Sequence, residues 1–213
     1  MNGPHEQRIA ATAGAPLEGA KAAVIMVHGR GDSAAGILGL ASAIHVPGVA
    51  YVTPQATHNT WYPNSFMAPM ESNQPWLDSA LQTVGGVVEQ VVDAGVPHDK
   101  IVLLGFSQGA CLASEYMARN ARRYGGLAAL SGGLIGPEGT ARDYAGTLDG
   151  TPVVLGCSDV DPHIPVERVH ETDDVLTRLN ANVDKRIYPN FGHTVNQDEA
   201  DAVRAMLQTV VDG

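Results

Sequence analysis

The chain has 213 residues, 44% of them apolar and 17% charged, the proportions of an ordinary globular protein rather than of a disordered or fibrous one. Acidic residues outnumber Lys and Arg by 23 to 13, and a formal charge of −10 repels nucleic-acid phosphates and anionic lipid headgroups alike. No stretch reaches the roughly 18 consecutive apolar residues of a membrane span, and the opening MNGPHEQ lacks the plan of a secretion signal, so a cytoplasmic protein of one domain, residues 1–213, is expected.

In chain order, short β-branched and aliphatic runs at 22–27, 49–53, 100–105, 127–130, 152–156 and 185–188 alternate with segments of helical period. That alternation is the pattern of a parallel sheet covered on both faces. Between the second and third runs, Leu77, Ala80, Leu81, Val84, Val87, Val88, Val91 and Val92 recur at three and four and stop before Gly95 and Pro97, which predicts a helix. Further helices are predicted over 108–120, 166–180 and 197–210. The stretch 54–76 breaks the alternation, with four prolines and the aromatics Trp61, Tyr62, Phe66 and Trp76. A long aromatic loop in a compact fold is more often functional than idle, because burying its rings is what holds it down. Cys111 and Cys157 lie in apolar company with no metal-type spacing, so two buried free thiols are expected.

The run at 100–105 leads into Gly105-Phe106-Ser107-Gln108-Gly109 and then into a helical segment. A sharp strand-to-helix turn crowds the residues two positions either side of its centre, and glycine at both removes the side chains that would collide. This Gly-x-Ser-x-Gly turn is the nucleophile elbow of α/β-hydrolases. It would hold the Ser107 hydroxyl above the sheet edge, at the positive end of the following helix. A serine needs a base and an orienting acid to act as a nucleophile, and the elbow predicts the chain order Ser, Asp or Glu, His. After the run at 152–156 come Asp159 and Asp161; after the run ending at 188 comes His193, the one histidine of eight in the last strand-to-helix loop. Position alone leaves the acid open between the two aspartates.

At these residues the chain resembles the phospholipase/carboxylesterase group of α/β-hydrolases, relatives of acyl-protein thioesterases, through HGRGD at 28–32, GFSQGA at 105–110, DPHIP at 161–165 and GHT at 192–194. The resemblance implies the α/β-hydrolase fold with a mostly parallel sheet, helices on both faces and no large lid domain. It favours Asp161, which precedes a proline, and leaves Asp159 a surface or loop-capping role. It also implies an oxyanion hole from the backbone N–H groups of Arg30 and Gln108. Many relatives carry an apolar residue where this chain has Arg30, whose side chain is left to pair with Asp32, face solvent, or meet a polar part of the substrate.

The expected activity is hydrolysis of short- to medium-chain carboxylic esters by Ser107, His193 and Asp161 through an acyl-serine, without metal or cofactor. Trp61, Tyr62, Phe66, Met67 and Trp76 are expected to wall the substrate pocket. Small-molecule esters are the expected partners, nucleic acid is not, and the chain would be a monomer or homodimer. Two other readings are an acyl-protein thioesterase or lysophospholipase-like enzyme with the same chemistry, and a scaffold that binds a small ligand without turnover.

Overall fold

The computed structural model describes residues 3–213. Among them, seven strands form one sheet in the order β1-β3-β2-β4-β5-β6-β7. They are β1 (Ile9–Gly14), β2 (Ala22–Val27), β3 (Val49–Pro54), β4 (Ile101–Phe106), β5 (Gly126–Leu130), β6 (Pro152–Ser158) and β7 (Asn182–Tyr188). Neighbours from β3 through β7 pair in parallel, while β1 pairs antiparallel with β3 at the edge. Strand β1 is an addition to the sequence reading. Its Ile-Ala-Ala-Thr-Ala-Gly composition offers one large apolar side chain, and its residues alternate between half-buried and exposed.

The central strands are buried along their whole length because successive side chains enter two different cores. Ala23, Ile25 and Val27 of β2 and Ile101 and Leu103 of β4 face one cluster, where they meet Leu77, Val84 and Met117. Ala22, Val24, Met26, Val102 and Leu104 face the other, with Tyr51, Val203 and Leu207. The first layer is built by α2 (Trp76–Asp93), α3 (Gln108–Arg119) and α4 (Val166–Arg178), and the second by α1 (Ala34–Leu38) and α5 (Gln197–Asp212). The five-residue α1, capped by the Ser33 side chain at the Gly36 N–H, is too short to show a period in the sequence. Helix α5 starts with a reciprocal capping box in which Asn196 receives the Glu199 N–H and the Glu199 carboxylate receives that of Asn196.

The chain runs from β2 outward to β3 and then returns to lay β4 on the other side of β2. The loops leaving β2 and β4 therefore diverge, and the crevice beyond such a reversal, at the carboxyl ends of parallel strands, is where open α/β sheets bind ligands. The 54–76 segment lies here, irregular except for two short 3-10 turns. No inserted lid domain is present, and no helix is long and apolar enough to cross a membrane, among the described residues.

Candidate active site

The β4–α3 turn places Ser107 at φ 54° and ψ −121°, a left-handed backbone for a residue with a side chain. Such strain persists only where the surroundings enforce it. Here, a Cβ at Gly105 would lie 2.3 Å from the Gly109 carbonyl oxygen, and one at Gly109 would lie 2.0 Å from that of Val27. Both glycines are thus required by backbone contact, and α3 packs directly on the end of β2. The Ser107 N–H is tied to the Leu130 carbonyl at 3.0 Å, which keeps the turn in register with β5.

The loops after β6 and β7 bring two further side chains to this serine. His193 Nε2 lies 2.8 Å from Ser107 Oγ, and His193 Nδ1 lies 2.7 Å from Asp161 Oδ2. The other oxygen, Asp161 Oδ1, accepts the N–H groups of His163 at 2.8 Å and Ile164 at 3.0 Å. Burial on its own would raise this carboxyl, but the hydrogen bonds from His193, His163 and Ile164 outweigh it and hold the group below its ordinary value. It stays a carboxylate that demands a proton on Nδ1, leaving Nε2 free to accept from the serine. The imidazole packs against the rings of Phe106 and His163, at centroid distances of 4.9 and 4.8 Å. Asp159 turns elsewhere, its carboxylate accepting the Asn190 N–H at 2.8 Å, a loop-bracing role.

Opposite the histidine, the loop after β2 closes on the serine, where a Cβ at Gly29 would lie 3.5 Å from Ser107 Cβ. The Gln108 N–H opens a helix and so has no intrahelical acceptor, and that of Arg30 has no backbone acceptor among the described residues. His28 anchors this loop. Its Nε2 accepts the Ala56 N–H at 3.1 Å and its Nδ1 donates to the Gly29 carbonyl at 2.8 Å, so it is neutral, and burial lowers its affinity for a second proton.

A cavity of about 700 Å³ opens at Ser107 and His193, within the range of small-molecule sites. Tyr62, Phe66, Phe106 and Ile164 give it apolar wall, while Arg30, Asp32 and His163 lie at its polar side. Of the five side chains expected to wall it, Tyr62 and Phe66 do so, and Trp61, Met67 and Trp76 do not. Trp61 is fully buried and donates its indole N–H to the His28 carbonyl at 2.9 Å. Trp76 packs edge-on to His5, and Met67 packs against the core. These three hold the loop down; an aromatic that anchors and one that lines a cavity are equally apolar in sequence. The Arg30 side chain matches expectation only in part. It does not pair with Asp32; exposed to solvent, it also donates to the carbonyls of Tyr62, Pro63 and Asn64.

Ser158, which the sequence pattern does not single out, ties the acid and base loops together. Its buried hydroxyl accepts the N–H groups of Gly192 at 3.0 Å, Phe191 at 3.2 Å and Val160 at 3.2 Å. Cys111 and Cys157 are buried and free, and burial pushes each thiol up to about 12, so both stay protonated. No group of three His, Cys, Asp or Glu side chains that could hold a metal occurs among the described residues.

A strained serine at the end of a central parallel strand, hydrogen-bonded to a histidine from the last strand-to-helix loop, defines the α/β-hydrolase class. Within it, residues 11–211 match the family described as Phospholipase/Carboxylesterase, and the chain belongs to that family. It is a hydrolase acting on esters. The crystal structure of a phospholipase/carboxylesterase from Dyadobacter fermentans is similar at a TM-score of 0.91 and 46% identity, covering 96% of this chain and 97% of that one. Acyl-protein thioesterase 1 of Debaryomyces hansenii is 28% identical over 92% of this chain and 93% of its own, and that of Candida albicans 29% identical over 91% and 94%.

Proposed function

We propose that the chain is a single-domain serine carboxylesterase that hydrolyses short- to medium-chain carboxylic esters through an acyl-serine. The observation that carries this reading is the unbroken hydrogen-bonded path from Ser107 Oγ through both nitrogens of His193 to Asp161 Oδ2. In the reaction, His193 Nε2 takes the hydroxyl proton as Ser107 Oγ attacks the ester carbonyl. The developing oxyanion is received by the N–H groups of Arg30 and Gln108, and preorganised donors of this kind are worth about 3 kcal/mol each. Collapse expels the alcohol, which leaves with the proton from His193. Water then gives its proton to the same nitrogen as it attacks the acyl-serine, and collapse releases the acid and returns that proton to Ser107 Oγ, while Asp161 balances the imidazolium at each half-reaction.

The acyl length rests on the cavity. Phe66 and Ile164 wall a space that reaches the buried Cys111, and no lid domain among the described residues covers long chains. A thioesterase reading, favoured by the two acyl-protein thioesterase relatives, needs the same chemistry and a different fit. A fluorophosphonate should label the wild type at Ser107 and not the Ser107→Ala variant. On nitrophenyl esters from acetate to palmitate, kcat/KM should peak at or below the medium chains and exceed that for matched acyl thioesters. A peak at palmitate or on thioesters would give the alternative; absence of both labelling and turnover would leave a ligand-binding scaffold.

A further inference from the structure

The two residues proposed to supply the oxyanion-hole N–H groups are joined by their side chains to one short stretch of the irregular loop, Trp61 to Asn64. Arg30 Nη1 donates to the Pro63 carbonyl at 3.0 Å, and Nη2 donates to those of Tyr62 at 2.9 Å and Asn64 at 2.7 Å. The guanidinium carbon lies 6.0 Å from the Tyr62 ring centroid. From the other side, Gln108 Nε2 donates to the same Tyr62 carbonyl at 2.8 Å, and Gln108 Oε1 accepts the Trp61 N–H at 2.9 Å. Loops from two different strands are thus fastened to a common strut.

The strut itself has further holds. The Trp61 indole reaches the His28 carbonyl, and the buried Asn73 receives the Asn64 N–H at 2.8 Å and donates to the Ser65 carbonyl at 3.0 Å. The Arg30 peptide, by contrast, lies between Gly29 and Gly31, residues with little conformational preference of their own. The carbonyl of the Gly29–Arg30 peptide is held by His28 Nδ1 at 2.8 Å and by the Asp32 N–H at 3.3 Å, and the Gly31 N–H bonds the Asn59 carbonyl at 2.7 Å; the Arg30 side chain adds the bonds that tie this peptide to residues 62–64.

We infer that Arg30 is a positioning residue whose guanidinium, with the Gln108 side chain, clips both oxyanion-facing loops to residues 61–64 and so fixes the separation and aim of the two N–H donors. A planar fork with several donors spans three converging carbonyls, whereas the single ammonium of lysine does not. The clip also ties the donors to the stretch that contributes Tyr62 to the cavity wall, so acyl fit and transition-state stabilisation share one support. This inference rests on the proposed roles of the Arg30 and Gln108 N–H groups.

The test compares Arg30→Leu and Arg30→Lys with wild type on a short nitrophenyl ester and with a trifluoromethyl ketone, which adds to the serine and places an oxyanion in the hole. Misplacing a catalytic donor by about 1 Å costs on the order of 100-fold, so kcat should fall about 10- to 100-fold in both variants. KM should stay within about threefold, and ketone affinity should fall in parallel with kcat/KM. Retention of kcat in either variant, or a loss confined to KM with ketone affinity intact, overturns the inference. A wild type that neither turns over ester nor reacts with fluorophosphonate sinks the esterase reading instead, so the two failures are distinguishable.

Discussion

Replacing Asp161 by asparagine tests the path from carboxylate to serine at the atom where it is most sensitive. In the native site Oδ2 faces His193 Nδ1 at 2.7 Å while Oδ1 accepts two backbone N–H groups, at 2.8 and 3.0 Å. An amide has one oxygen to offer. Turned toward His163 and Ile164, it keeps two hydrogen bonds and presents its NH₂ to the imidazole; turned toward His193, it opposes its NH₂ to two donors. Leaving buried groups unpaired costs about 1–3 kcal/mol each, so the first orientation wins. His193 must then accept at Nδ1 and carry its proton on Nε2, where it cannot take the one on Ser107. Loss of the correct tautomer in such a triad lowers kcat by about 10⁴. In Asp159→Asn, by comparison, the amide oxygen can still receive the Asn190 N–H, so kcat should change less than about twofold. The assay is steady-state hydrolysis of a nitrophenyl ester by both variants, with melting temperatures to confirm folding. An Asp161→Asn variant within tenfold of wild type, or a larger loss from Asp159→Asn, would refute the reasoning.

Glu199 should make stability pH-dependent. Burial raises its carboxyl to about 7 against an ordinary 4.5, and one of its oxygens has no partner. The folded state therefore holds a proton that the unfolded chain releases, and stability falls as pH rises from 4.5 to about 7, then levels off. The drop should be on the order of 3 kcal/mol. Glu199→Gln, which can keep the Asn196 bond, should abolish it, as read by urea unfolding at pH 5 and pH 8. Gly109→Ala drives a methyl into the Val27 and His28 carbonyls; it should cost about 2 kcal/mol or more and most of the turnover. Gly39→Ala, with open space around it and a right-handed backbone, should be neutral in the same melting experiment.

Five of the six parallel strands were legible because each is a largely aliphatic run buried on both faces, and the longer helices because their apolar stripes recur at three and four; β7, which carries Asp184, Lys185 and Arg186 and has no buried residue, is legible over 185–188 alone. The approach of the loops after β4, β6 and β7 could be read from the sequence, since the loops at one end of a parallel sheet converge, but position does not separate Asp161 from Asp159; the family resemblance does. Strand β1 carries no such mark, being an edge of small residues. Nor does the Arg30 contact: its partners are backbone carbonyls, and every residue has one. Ser158 escapes notice for the same reason, accepting only backbone N–H groups. For Trp61, Met67 and Trp76 the obstacle is different. Fastening a loop and walling a cavity both remove an apolar side chain from water, and composition reports only the removal.

The Ser158 hydroxyl bridges the loops after β6 and β7 without touching residues 54–76. The loops that carry Asp161 and His193 are consequently braced on one flank of the sheet, while most of the cavity wall is braced on the other, through His28, Asn73 and the arginine fork. The two halves abut at Ser107. On the proposed esterase reading, the side chains of residues 64–66 can change to admit a new acid without realigning the imidazole, so substrate fit and proton transfer are separable in this architecture.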